Sequence, residues 1–181
     1  ALAAAQSGTV DVAHTAASYS DMTVDGYDLF SVQTVDNRGF NLPATAAEEI
    51  DGVTYGNDFT SDVEVRRAIN IGTPAYSVCD KMPWYNEEAE VEYDLDKAKE
   101  ILETAGWAEG DDGIREKDGV RAELTMLYPA SDSVRQALAE DSKNQLAELG
   151  IEVTTEGVDW DTAYTRAESE PLVWGWGAHT P

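Results

Sequence analysis

The stretch between residues 123 and 153 limits the possible folds more than any other part of the chain. Leu124, Met126 and Tyr128 alternate as in a strand, and Ser131 or Asp132 is placed to cap a helix carrying Val134, Leu138, Leu146 and Leu149. Gly150 closes that helix, and Ile151 and Val153 open another strand. Strand, helix and strand at this spacing make a βαβ unit, which crosses over into a parallel pair. The expected class is therefore α/β, a mixed sheet with flanking helices.

The rest of the chain supplies elements to place around that unit. Residues 1–6 suit a helix end with Gly8 as its stop, and residues 9–13 alternate through Val10 and Val12 as a short strand. A longer β-like run covers residues 27–37, and residues 41–57 read as loop, marked by Pro43, Gly52 and Gly56. Ser61 or Asp62 caps a helix through Ile71 with Val65 and Ile69 on one face, and residues 72–92 read as an extended loop. Asp94 caps a helix carrying Leu95, Ala98, Ile101, Leu102 and Ala105, stopped by Gly106. Asp118-Gly119 signals a hairpin, a short helix is expected over residues 161–168, and residues 172–176 form a last apolar strand.

Charge narrows the function classes. The chain carries 36 acidic and 12 basic residues, a formal charge of −24. Such a field repels phosphate backbones and anionic lipid, so neither nucleic acid nor a membrane surface is an expected partner. No run of about 18 apolar residues spans a membrane, and no leader of signal-peptide type is present in the sequence. The single Cys79 makes neither a disulfide nor a CxxC pair. His14, His179, Cys79, Met22, Met82 and Met126 are scattered without ligand spacing, and Asp111-Asp112-Gly113 lacks the alternating oxygens of a calcium loop. Neither a metal nor a cofactor is expected. The chain opens on ALAAAQSG and stops at HTP beside an apolar stretch, as a fragment would.

Taken in chain order, several segments resemble the family 5 bacterial extracellular solute-binding proteins. They are LAAAQSGTVD from Leu2, TSDVEVRRAIN from Thr60, YDLDKAKEILETAGW from Tyr93, the hairpin from Asp112 to Gly119 with Glu123-Leu124-Thr125, QLAELGIEV from Gln145 and WGWGA from Trp174. The Tyr93 stretch, close to the pattern YDpekAkklLaeAGw, is the most specific. The resemblance implies one lobe of a two-lobed, type II periplasmic-binding-protein-like fold. Residues 1–181 would be a single lobe, a piece of the C-terminal one. The family usually carries a further helix and an arginine after the position of Asn70, whereas Gly72-Thr73-Pro74 follows almost at once here, so a segment is missing near residues 71–73.

The residues nominated for ligand contact are Trp174, Trp176, His179, Arg38, Asn41 and Tyr76. Trp174 and Trp176 share one face of a strand and either wall a pocket or anchor the core, and Gly175 and Gly177 leave open backbone beside them. His179 follows at the strand's C-terminal end, where open α/β sheets hold ligands. Peptide-binding members commonly place there an aspartate that pairs with the ligand's α-amino group, and a neutral imidazole lacks that charge. Arg38 either clamps a carboxylate or makes a surface ion pair. Asn41 is a weaker candidate. Tyr76, with Trp84 and Tyr85, forms either an aromatic wall or a loop packed by its own side chains.

Catalysis would need a nucleophile or acid–base pair with an orienting partner, and no such motif is present. An acidic extracellular hydrolase is the remote alternative, and a calcium-dependent adhesion module conflicts with the helix signatures. The resemblance implies the substrate-binding component of an ABC importer. Such a protein is extracytoplasmic (periplasmic or lipid-anchored) and monomeric, closes on a short peptide, and delivers it to a membrane permease. A nickel chelate or another small solute is the alternative ligand.

Overall fold

The computed structural model describes residues 1–15, 22–30, 36–74 and 86–177. They belong to two compact units, Ala1–Thr34 and Val35–Pro181.

In the first unit, α1 (Leu2–Gln6) ends as expected at Gly8, whose φ of +65° suits a residue without a side chain. The strand expected over residues 9–13 does not form. The Ser7 and Thr9 hydroxyls both donate to the Ala4 carbonyl, folding the chain back on the helix end, and the Tyr27 hydroxyl donates to the Val10 carbonyl. These local bonds occupy groups that an extended strand would direct to a neighbour. Residues 27–30 are likewise not strand, and residues 31–35 lie outside the described part.

The second unit is built on the βαβ unit. β7 (Glu123–Pro129) and β8 (Glu152–Val158) pair in parallel from Glu123 opposite Glu152 to Pro129 opposite Val158, joined by α4 (Ser133–Ala147). Asp132 supplies the cap, accepting from the backbone N–H groups of Val134 and Arg135. β9 (Val173–Gly177) lies beside β7 through a parallel bridge between Leu127 and Leu172 and pairs antiparallel with β1 (Asp36–Phe40). The arrangement is therefore mixed, as the sequence implied. Between these elements come α2 (Val63–Gly72) and α3 (Leu95–Thr104), capped by Asp62 and Asp94. A small antiparallel meander follows, β4 (Ala108–Glu109), β5 (Arg115–Lys117) and β6 (Val120–Arg121), and α5 (Trp160–Arg166) links β8 to β9.

Residues 41–57 depart from the expected loop. They contain a hairpin of β2 (Glu48–Ile50) and β3 (Val53–Tyr55). Its turn residues Asp51 and Gly52 have φ of 51° and 80°, the same left-handed pair found at Asp118 and Gly119. A second departure is a single 3₁₀ turn, Glu87–Ala89, inside the region read as extended.

The core is continuous from the helices to the sheet. Val65, Ala68 and Ile69 of α2 pack with Ala98 and Leu102 of α3, Leu146 and Leu149 from the end of α4, and Leu124, Met126 and Val153 of the parallel pair. Gly72 is required where α2 meets this layer, because a Cβ there would lie 2.8 Å from a Leu149 methyl and 3.0 Å from Ala98 Cβ.

One buried charge ties the layers together. Arg115 is only 3% exposed. Its Nε donates to the Leu149 carbonyl at 2.9 Å and its Nη1 to the Trp107 carbonyl at 2.8 Å, so one guanidinium satisfies the chain ends that follow α4 and α3. Glu103 lies 3.4 Å from Nη2. Replacing Arg115 with Met strands both carbonyls in the core, and we expect a loss of roughly 2–4 kcal/mol of unfolding free energy. Urea denaturation measures it, with Arg115→Lys recovering only part because an ammonium cannot reproduce the planar fork. An unchanged midpoint would contradict the assignment.

Candidate functional site

Parallel strands end together. After β7 the chain turns through Ala130 and Ser131 into α4, and after β8 it turns at Asp159 into α5, so the first turns of both helices meet at one edge of the sheet. This is the edge where open α/β sheets take ligands. β9 delivers its C-terminal half to the same edge, and β1, running the other way, places Arg38 opposite Gly175.

Three aromatic rings cluster here. Trp160 and Tyr164, one turn apart on α5, stack at 5.6 Å between centroids, and Trp174 of β9 lies 5.4 Å from Tyr164 and 6.3 Å from Trp160. Trp174 is half-buried, whereas Trp160 and Tyr164 are 38% and 57% exposed. Their open faces are the large apolar surface of this edge.

Two guanidinium groups complete it. Arg135, in the first turn of α4, lies with its Cζ 5.6 Å from the centre of the Trp160 ring and pairs with Asp132. Its Nε is buried without a hydrogen-bond partner. A Cβ on Gly175 would stand 2.8 Å from Arg38 Nη1 and 2.9 Å from Arg135 Nη2. The two cationic groups thus converge on one glycine, and no larger residue fits between them without displacing one.

The nominated residues distribute unevenly over this geometry. Arg38 and Trp174 fall within it. Asn41 lies beside it as a cross-link: its Oδ1 accepts from the Leu172 backbone N–H at 2.8 Å and from Trp174 Nε1 at 2.9 Å, and its Nδ2 donates to the Ala167 carbonyl at 3.3 Å. Those bonds set the tilt of the Trp174 indole. Trp176 stands in β9 in register with Asn37, and its side chain lies outside the described residues, as do Tyr76 and His179 altogether. Arg135, Trp160 and Tyr164 stand at this edge and were not nominated from sequence. Their signal was available in the spacing of Trp160 and Tyr164, four apart on a helix that follows a parallel strand. Among the described residues no group of three or more His, Cys, Asp or Glu side chains is arranged to hold a metal ion, and no helix is long and apolar enough to cross a membrane.

Aromatic and guanidinium groups at the open edge of a parallel pair are chemistry suited to holding a small ligand. The whole chain, residues 1–181, matches the family described as bacterial extracellular solute-binding proteins, family 5 Middle, and belongs to that family. Its members bind solutes and are not enzymes. Protein XP55 of Streptomyces lividans is 30% identical over 165 residues, covering 82% of this chain and 28% of that protein. The oligopeptide-binding protein AppA of Bacillus subtilis is 28% identical over 82% of this chain and 35% of its own length. The chain thus spans about a third of these curated relatives. Among solved structures, NikZ of Campylobacter jejuni in complex with Ni(L-His) has a TM-score of 0.65 at 20% identity, over 82% of this chain and 31% of that one. AppA in complex with a nonapeptide has a TM-score of 0.58 at 23% identity, over 80% of this chain and 33% of that one. The fold is that of part of a two-lobed type II periplasmic binding protein.

Three carboxylates that order this unit contribute stability that acid removes. Burial raises the Asp132 carboxyl, but the Arg135 backbone N–H, the Arg135 guanidinium and the Val134 N–H outweigh it and hold the group below its ordinary 3.8. Asp62 is held low in the same way against burial, by Lys117, the Glu64 N–H and Trp107 Nε1. The Arg166 fork lowers Glu156 from 4.5. A depressed folded-state value means the stabilisation is present above the unfolded value and disappears as pH falls through the folded one. These contributions should therefore hold from neutrality down to about pH 4 and be lost below it. Urea midpoints between pH 7 and pH 3 test this, and full loss already by pH 5.5 would contradict it.

Proposed function

We propose that this chain forms most of one lobe of the substrate-binding component of an ABC importer. The whole protein captures short peptides between its two lobes and delivers them to a membrane permease. It works outside the cytoplasm, periplasmic or lipid-anchored, as a monomer. Family membership and the likeness to an oligopeptide-binding protein support the reading. The observation that carries it is the convergence of Arg38 and Arg135 on Gly175 beside the Trp160–Tyr164–Trp174 cluster.

Two guanidinium groups drawn to one glycine repel each other. Asp132 offsets part of that for Arg135. A ligand carboxylate seated against Gly175 would offset more, accepting from both guanidinium groups while an adjacent side chain lies on the exposed aromatic faces. Closure then follows from the ligand's higher affinity for the closed arrangement than for the open one.

A metal chelate is the second reading. The nickel-binding periplasmic protein of Escherichia coli is 32% identical over 77 residues, 41% of this chain and 14% of that protein. A chelator such as free histidine also carries a carboxylate, so the same edge would serve, with His179 available as a ligand to the metal.

Native mass spectrometry of the whole protein, challenged with a mixed peptide pool and separately with nickel plus free histidine, separates these readings. We expect adducts of short peptides, and Arg135→Met to weaken them about 10–100-fold, as loss of a charge-assisted bond should. A shift only with nickel and histidine would move the assignment to metal uptake, and no adduct in either arm would contradict both.

A further inference from the structure

We infer that the folded state of this protein is built for a medium of concentrated salt, with solvent cations at molar concentration taking the place of absent basic residues. The net charge of −24 is spread through the chain, not held in one tail. Residues 1–37 hold five aspartates and no lysine or arginine, and the whole chain has only five lysines and seven arginines. Those cations are largely occupied. Arg166 is shared by Glu156 and Glu170, Arg115 is buried against carbonyls, and Lys117 is bound to Asp62.

Like charges meet where the fold forces them together. Glu123 and Glu152 stand directly opposite across the parallel pair, a destabilising arrangement, and Arg121 bridges them while also holding Asp112. Arg166 bridges Glu156 and Glu170 in the same way, and further acidic residues crowd exposed segments. Glu87, Glu88 and Glu92 are exposed in one short stretch and Glu148 is exposed at the end of α4, whereas on α3 Asp96 and Glu100 stand four apart with Lys97 4.0 Å from Glu100.

Magnitude decides what can screen them. Like-charged neighbours one helical turn apart are separated by about 5–6 Å. The screening length is about 8 Å at 0.15 M salt and about 3 Å at 1 M. Physiological salt leaves about half of these repulsions and molar salt removes most of them. A protein of an extracellular family has no cytoplasm to set its ionic strength, so the medium must supply it.

Thermal unfolding of the whole protein tests this, followed by circular dichroism from 0.1 to 2 M KCl and in sucrose of matched osmolality. We expect the midpoint to rise by about 5 °C or more with KCl, most of it below 1 M. Sucrose should not reproduce that rise. The combined variant Glu87→Gln, Glu88→Gln, Glu92→Gln and Glu148→Gln, which touches no described ion pair, should unfold at a higher temperature in 0.1 M KCl and gain less from added salt. A midpoint flat or falling between 0.1 and 1 M KCl, a sucrose response equal to that in KCl, or a variant with the parent's salt dependence would each overturn the inference.

Discussion

Everything at the proposed binding edge depends on β7 and β8 running in parallel. An antiparallel pair would have sent one following helix to each end of the sheet. The parallel register, held over seven residues from Glu123 to Pro129, brings the starts of α4 and α5 to the same side. That is why Arg135 and Trp160, 25 residues apart in sequence, meet at 5.6 Å. The crossover is held at its far end by Arg115, whose bond to the Leu149 carbonyl fixes where α4 stops, and Gly150 turns the chain with a φ of +75°. The packing at one end of the unit and the candidate edge at the other therefore rest on a single topological choice.

The second support is Asn41. One carboxamide oxygen accepts from the backbone of Leu172 and the indole of Trp174, joining the end of β1 to the start of β9. Asn41, nominated for ligand contact, is thus a cross-link that holds the Trp174 indole in place. A binding surface that must accept varied solutes is better served by rings with fixed tilt than by mobile ones, since less conformational freedom is lost on closure.

Legibility in the sequence followed the range of the interactions. The capped helices α2, α3 and α4 were readable because their signals, Asp62, Asp94 and Asp132 before an apolar stripe and Gly106 and Gly150 after α3 and α4, act within a few residues. The βαβ unit was readable for the same reason. The β2–β3 hairpin was missed although Asp51-Gly52 carries the same turn chemistry as Asp118-Gly119, because each strand is only three residues long and Glu48 and Glu49 give β2 no apolar alternation. The reading of residues 9–13 failed in the opposite sense: the valines alternate, but Ser7 and Thr9 fold the backbone onto α1. At the candidate edge, Arg38 and Trp174 had been nominated from their surroundings in the chain. Arg135 was not, because its meaning comes from Gly175, forty residues away and reached only through the fold.

A crystal structure of the whole protein with ligand trapped between its lobes tests the central claim most directly. The account predicts a ligand carboxylate seated against Gly175, within hydrogen-bond reach of both Arg38 and Arg135, and ligand atoms over the Trp160–Tyr164 faces. A ligand held elsewhere, with this edge covered by other parts of the protein, would contradict it.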